Sequence, residues 1–106
     1  MKAVQQHGYG GVDQVTYEDV PMPKAGPGEV LVKVIATSVN PTDWKTRKGE
    51  TKDRNPILPD IPGRAVAGDI VEIGPNVSNF ARGQKITGLV RHSYAEFWPP
   101  RPMRLR

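Results

Sequence analysis

The sequence contains no cysteine and only two histidines, His7 and His92. Without thiols a chain forms neither disulfides nor thiolate metal sites, and two histidines are too few for an ordinary zinc site. Neither histidine has a serine or an aspartate at a spacing that argues for a catalytic triad, which is recognised by geometry. These absences predict a metal-free protein in which neither histidine is catalytic.

Long apolar runs are also missing. No stretch approaches the roughly twenty apolar residues that a membrane helix needs. The N-terminal segment MKAVQQHGYG lacks the apolar core of a signal peptide. The sequence therefore predicts a soluble, cytoplasmic protein with no membrane partner.

The formal net charge of +4 lies mostly near the C-terminus. Residues 1–90 carry 11 Lys and Arg against 10 Asp and Glu, whereas residues 91–106 carry 4 Arg against Glu96. The body of the chain is nearly neutral and offers few aromatic side chains in a basic context. Nucleic-acid binding through the arginine tail is therefore the weakest of three functional hypotheses, and no nucleic-acid partner is predicted.

Proline and glycine are abundant, with 11 of each, and aromatic residues make up 7% of the chain. This composition favours short strands and turns, and 106 residues leave room for one domain with a modest core. Because Glu29 to Val39 is apolar on both faces, we predict a central strand there, covered on both sides. Apolar patterning predicts strands over the following ranges: Lys2 to Gln6, Gln14 to Val20, Glu29 to Val39, Val66 to Ile73, Lys85 to Val90 and Leu89 to Glu96.

The segment NPTDWKTRKG, from Asn40 to Gly49, predicts a helix of one or two turns. Asn40 can cap the helix, Pro41 suits its first position, and Asp43 lies where a capping box needs an acidic side chain. The same segment combines an amide, a hydroxyl, a carboxylate, an indole and three cations. The helix start is therefore the candidate site, and a well-capped helix with a solvated basic face is the alternative interpretation.

Three motifs together resemble a known family. PGEVLVKVIATSVN is followed by VNPTDWKTRKG and then by LPDIPGRAVAGDIVEIGPNVSNFARGQKITG. This arrangement resembles the GroES-like N-terminal domain of the medium-chain dehydrogenases/reductases, in particular the zinc-independent, zeta-crystallin-like quinone oxidoreductases. The resemblance implies a mainly β fold, a GroES-like, partly open β-barrel with one or two short helices, truncated at the C-terminus. The domain would span residues 1–97, and residues 98–106 would form an irregular Pro/Arg-rich tail.

The resemblance also implies a function. Members of this branch transfer a hydride from NADPH, or NADH, to a quinone, an enone or a related carbonyl. Asn40 would lie by the nicotinamide and the substrate carbonyl, Lys45 would contact the cofactor, and Trp44 and Lys45 would line the substrate pocket. Thr42 matches a hydroxyl residue that relays protons in the zinc enzymes. Asn40 and Arg64 occupy the positions of a cysteine and a histidine zinc ligand, which implies a branch without zinc.

The sequence also departs from the family pattern. Ala65 replaces an acidic residue and Gln84 replaces an aspartate, which predicts altered local hydrogen bonding. The family continues into a Rossmann domain that holds the cofactor, whereas WPPRPMRLR is typical of a shifted reading frame. We therefore expect a truncated chain that does not bind NADPH alone and is inactive in isolation, with a homo-oligomer possible. The alternative is a non-enzymatic GroES-like β-barrel that serves as a binding or assembly module.

Overall fold

The computed structural model describes residues 1–51 and 56–100. Its strands are β1 (Lys2–Gln6), β2 (Val15–Asp19), β3 (Val30–Ala36), β4 (Ala65–Ile73), β5 (Lys85–Leu89) and β6 (Phe97–Trp98). A 3-10 turn covers Val12–Gln14, and helix α1 covers Pro41–Arg47. Within these two ranges no helix has the length and apolar character needed to span a membrane. The described chain is thus mainly β with one short α-helix, as the sequence predicts.

All strand pairs are antiparallel and belong to two open sheets. β1 pairs with β2 in a two-stranded sheet. The other strands form a four-stranded sheet in the order β5-β4-β3-β6. Isolated bridges join Ala3 to Ala95 and Gln6 to Asp60, so β1 is also attached to the segments that flank the larger sheet.

The main core covers one face of the larger sheet. Val32, Val66 and Ile70 are 0%, 3% and 1% exposed, because successive strand residues alternate between faces and these three share the inner face. Their partly buried neighbours are Val30, Val34, Ile73, Ile86, Val90 and Trp98. The outer face carries a charged row in which Lys85 Nζ lies 3.0 Å from Asp69 Oδ1. A second, smaller cluster contains Ala3, Val20 and Ile61.

Strand β3 is central in the sheet, as predicted, but only its first half is covered on both faces. Leu31 and Val32 are buried, whereas Ile35 is 65% exposed. The ladder with β4 is irregular between Val34 and Ala36, and β6 pairs only with Val32 and Lys33. Because both Ile35 and Ala36 are exposed, the prediction of cover on both faces is wrong for the second half of β3.

The strand predicted from Leu89 to Glu96 is also wrong. Residues 90–96 form a loop because His92 has a φ of 69°, which interrupts an extended chain, and Ser93 is fully buried there. The last strand lies further on, where Trp98 pairs with Val32. The domain boundary predicted at residue 97 therefore falls within β6. The rest of the predicted tail beyond residue 100 lies outside the described residues.

Candidate functional site

The candidate site is the corner around Asn40, where the chain passes from β3 into α1. Asn40 is the N-cap of the helix and has extended backbone angles, φ −119° and ψ 156°. Pro41 opens the helix, and its missing N–H removes a donor that would have no helical partner. The side chain of Asp43 reaches back, and its Oδ2 accepts the backbone N–H of Asn40 at 2.8 Å. One of the two hydrogen bonds of the predicted capping box, from the N-cap backbone N–H to the acidic side chain, is therefore present.

The predicted site residues occupy the exposed side of this corner. Thr42, Trp44 and Lys45 are exposed, and Asn40 is half-buried. The side-chain nitrogen of Asn40, Nδ2, lies 3.3 Å from Ser38 Oγ. The ammonium groups of Lys45 and Lys48 lie 5.7 and 5.4 Å from the centre of the Trp44 ring, close enough for cation–π attraction. The structure thus brings the indole and the cations together on one exposed surface.

The opposite side of α1 is buried and polar. Asp43 and Thr46 are 8% and 9% exposed, and their spacing of three residues places them on one helix face. Nη2 of Arg64 lies 3.4 Å from Thr46 Oγ1, and the hydroxyl of Tyr94 donates to Asp43 Oδ2 at 2.7 Å. The candidate corner therefore rests on residues from two distant segments of the chain.

Tyr94 is held in its neutral form by this environment. Burial, followed by the hydrogen bond to Asp43 and the charge of that carboxylate, raises the pKa of the Tyr94 phenol well above its ordinary value. The phenol is therefore a hydrogen-bond donor over the whole physiological pH range. The other carboxylate oxygen, Asp43 Oδ1, is buried and has no hydrogen-bond partner among the described residues.

The donor set at this corner does not fit a catalytic zinc ion. Asn40 and Arg64 stand at the two positions that the resemblance associates with zinc ligands, and neither an amide nor a guanidinium is an ordinary zinc ligand. Within residues 1–51 and 56–100, no three His, Asp or Glu side chains cluster in a way that could hold a metal ion.

The two histidines pair with carboxylates away from this corner. Nδ1 of His92 lies 2.9 Å from the Ile61 carbonyl oxygen and 3.2 Å from Asp60 Oδ1. A carbonyl can only accept, so this nitrogen carries the proton and ties the loop to Ile61. Nε2 of His7 lies 3.0 Å from Glu18 Oε1 on the two-stranded sheet. Both imidazoles thus have structural partners.

The two departures from the family pattern differ in their hydrogen bonds, because Ala65 bonds only through its backbone whereas Gln84 bonds through its side chain. The backbone oxygen of Ala65 accepts the hydroxyl of Thr37 at 2.6 Å. The side chain of Gln84 accepts the backbone N–H of Ala81 at 3.1 Å, so it closes the turn before β5. The amide of Gln84 can thus serve a local bonding role that an aspartate carboxylate could also fill.

A groove adjoins the corner on the outer face of the sheet. It has a volume of about 420 Å³ and is walled mostly by small or apolar side chains. Its lining includes Ala36, Ser38, Ala65, Ala67, Thr87 and Leu89. Ser38 belongs to both the groove and the surroundings of Asn40, so the polar corner and the apolar groove are continuous.

The sequence pattern identified Asn40 and Asp43 but missed Tyr94. Capping depends on residues three apart, so a local pattern reveals it. Tyr94 lies 51 residues beyond Asp43, and no local pattern connects the two. The run YAEF carries no period that would mark its tyrosine as part of a site.

The two open sheets, together with the N-capped helix α1 at the corner, define a GroES-like dehydrogenase-type domain. Residues 26–96 match the family model described as the alcohol dehydrogenase GroES-like domain, and the chain belongs to this family. Its similarity is to quinone oxidoreductases, which confirms the branch that the sequence motifs indicated.

Three relatives illustrate this similarity. The chain is 42% identical over 92 residues to the chloroplastic quinone-oxidoreductase QR1 of Triphysaria versicolor, covering 85% of this chain and 28% of the relative. It is 38% identical over 87 residues to the chloroplastic NADPH-dependent alkenal/one oxidoreductase of Arabidopsis thaliana, covering 81% and 22%. The structure of the quinone oxidoreductase from Coxiella burnetii superposes with a TM-score of 0.82 at 32% identity, covering 92% and 33%. The chain thus spans about a third or less of the length of each relative.

Proposed function

We propose that this chain is the substrate-side domain of an NADPH-dependent oxidoreductase that reduces a quinone, an enone or a related carbonyl. The observation that carries the proposal is the similarity to a quinone oxidoreductase and to an NADPH-dependent alkenal/one oxidoreductase over more than four fifths of this chain. That similarity includes the corner at Asn40, where polar and cationic side chains are exposed beside an apolar groove.

Each of the four predicted site residues has a role in this proposal. The amide of Asn40 orients the nicotinamide carboxamide or the substrate carbonyl, and Lys45 contributes a positive charge near the oxygen that becomes negative. Trp44 offers a flat apolar surface for a planar acceptor, and Thr42 offers a hydroxyl for proton transfer. NADPH, or NADH in its place, supplies the hydride when it is bound, so the chain itself needs to bind, orient and shield the acceptor.

The cofactor is held mainly by a Rossmann domain in this proposal, and zinc takes no part. The 106 residues then provide one wall of the site and do not bind NADPH on their own. Several relatives are named chloroplastic, so the cytoplasmic location remains a prediction.

A complementation assay tests the proposal. The purified chain is mixed with the Rossmann domain of a quinone oxidoreductase, and NADPH oxidation is followed with 1,4-naphthoquinone or a 2-alkenal as acceptor. We expect turnover only when both parts are present, and a roughly hundred-fold lower kcat/KM for Asn40→Ala because the acceptor loses its orientation. The matched control Asn79→Ala changes an exposed asparagine that lies outside the corner and should leave the rate unchanged.

Two outcomes would contradict the proposal. NADPH binding and quinone-dependent oxidation by the chain alone would show that it carries its own cofactor site. A stable ring seen by light scattering, without turnover in the complemented mixture, would favour the alternative of an assembly module.

A further inference from the structure

The hydroxyl of Tyr94 joins the two ends of the candidate corner. It lies 2.7 Å from Asp43 Oδ2 and 3.1 Å from the backbone oxygen of Ser38. A phenol has one proton, so the two acceptors share a single donor. Ser38, which follows β3, and Asp43, in the first turn of α1, are therefore both bound to the Tyr94 hydroxyl.

Asn40 lies between the two groups that Tyr94 holds. Its backbone N–H donates to Asp43 Oδ2 at 2.8 Å, and its side-chain nitrogen lies 3.3 Å from Ser38 Oγ. The same carboxylate oxygen thus accepts from both Tyr94 and Asn40, while Asp43 Oδ1 has no partner within the described residues. The orientation of the carboxylate depends on these two bonds, and loss of the Tyr94 bond would leave it held by the Asn40 backbone N–H alone.

Tyr94 is itself fixed by the surrounding chain. Its backbone N–H donates to the Pro62 oxygen at 3.0 Å, and its backbone oxygen accepts the N–H of Val4 at 2.9 Å. The ring packs against Gly63, where a side-chain carbon would lie only 2.8 Å from Tyr94 Cδ1. A phenol anchored in this way can hold the corner in one place.

We propose that Tyr94 and Asp43 are positioning residues, which set the place of Asn40 at the reacting groups. The role rests on the proposed function, because Asn40 matters only if it orients a cofactor or an acceptor. Removing the Tyr94 hydroxyl should displace Asn40 without removing any group that touches the substrate. The raised pKa of the phenol fits this role, since the donor stays protonated.

The first experiment does not depend on activity. Amide hydrogen exchange of the Asn40 backbone N–H is measured by NMR in the 106-residue protein and in Tyr94→Phe. We expect exchange to be roughly ten-fold faster in the variant, as the loss of one hydrogen bond would give, with the remaining amides largely unchanged. The matched control Tyr9→Phe removes the hydrogen bond from the Tyr9 hydroxyl to the Pro56 oxygen and should leave Asn40 unaffected. An unchanged Asn40 in Tyr94→Phe, or an equal effect in the control, would overturn the proposal.

The second experiment separates positioning from a general structural role. In the complemented reductase we expect Tyr94→Phe to lower kcat roughly ten-fold with little change in the KM for NADPH. Asp43→Asn keeps an acceptor oxygen and should retain more activity than Asp43→Ala. Absence of turnover in the unmodified mixture overturns the proposed function and this role with it. Normal turnover by Tyr94→Phe overturns the positioning role alone.

Discussion

Gly63 occupies a position that no other residue can take without strain. Its φ is 116°, in a region that side-chain-bearing residues rarely adopt. An added side-chain carbon would overlap Ser93 Oγ and would lie 2.9 Å from the Ser93 backbone nitrogen. Because Ser93 is fully buried, it has little room to move. Gly63 thus allows the loop that carries Tyr94 to pack beneath the candidate corner.

Gly63→Ala should lower the free energy of unfolding by about 2 to 4 kcal/mol, which combines backbone strain and overpacking. Urea denaturation followed by circular dichroism measures this change. Gly28→Ala is the matched control, because Gly28 also has a positive φ, 75°, but has no atom near its added carbon. The control should cost only about 1 to 2 kcal/mol. Equal losses in both variants would show that contact with Ser93 and Tyr94 is unimportant.

Tyr94 should make stability fall at alkaline pH. Its pKa in the folded protein is raised from 10.0 by burial first and then by Asp43, so the folded state keeps a proton that the unfolded state loses. The stabilising contribution is therefore complete below pH 10 and declines as the pH rises above that value. Tyr94→Phe should remove this part of the alkaline decline in urea midpoints. Tyr17→Phe, at an exposed position, should retain it.

At the scale of elements, β4 organises the larger sheet. It pairs with β3 on one side and β5 on the other, and Ile70 on its inner face is 1% exposed. Ile70→Ala should cost about 2 to 5 kcal/mol because it removes buried methyl groups and leaves a cavity. Val39→Ala, at a side chain that is 80% exposed, should change the free energy of unfolding by less than about 0.5 kcal/mol. A loss at Val39 comparable to that at Ile70 would place the core elsewhere.

Local sequence patterns predicted most of these elements. The capping residues gave the start of α1 within one residue, because caps depend on side chains only three positions apart. Alternation and turn residues gave β1, β4 and β5 closely, since strand patterning is also local. The position of β3 at the centre of the sheet followed from its apolar character on both faces.

Features that depend on distant contacts were not predictable in this way. β6 is a strand only because Phe97 and Trp98 meet β3, some 65 residues earlier. The role of Tyr94 at the corner likewise depends on a contact with Asp43 across 51 residues. The resemblance to a family supplied the roles of Asn40, Thr42, Trp44 and Lys45, and these roles remain predictions. Asn40→Ala tests the role of Asn40.

At the scale of the whole molecule, the described chain leaves considerable apolar surface uncovered. Leu89, Val39 and Ile35 are 91%, 80% and 65% exposed. A second cavity of about 580 Å³ opens beside the inner face of the sheet, where Val66, Ile86 and Trp98 contribute to its lining. Where such exposed apolar side chains form a contiguous patch, the patch commonly marks a site for a partner or a ligand.

The uncovered surface should make the isolated chain bind a hydrophobic dye or self-associate. We expect enhanced fluorescence of anilinonaphthalene sulfonate and a concentration-dependent mass in sedimentation. Replacing Ile35 by Thr and Leu89 by Lys together should lower both signals, because the two changes remove exposed apolar area without touching the core. Val12→Thr alters an exposed apolar side chain in the 3-10 turn before β2 and serves as the control. A monomer that does not enhance dye fluorescence would show that these side chains are compatible with water, and that the 106 residues need no further covering.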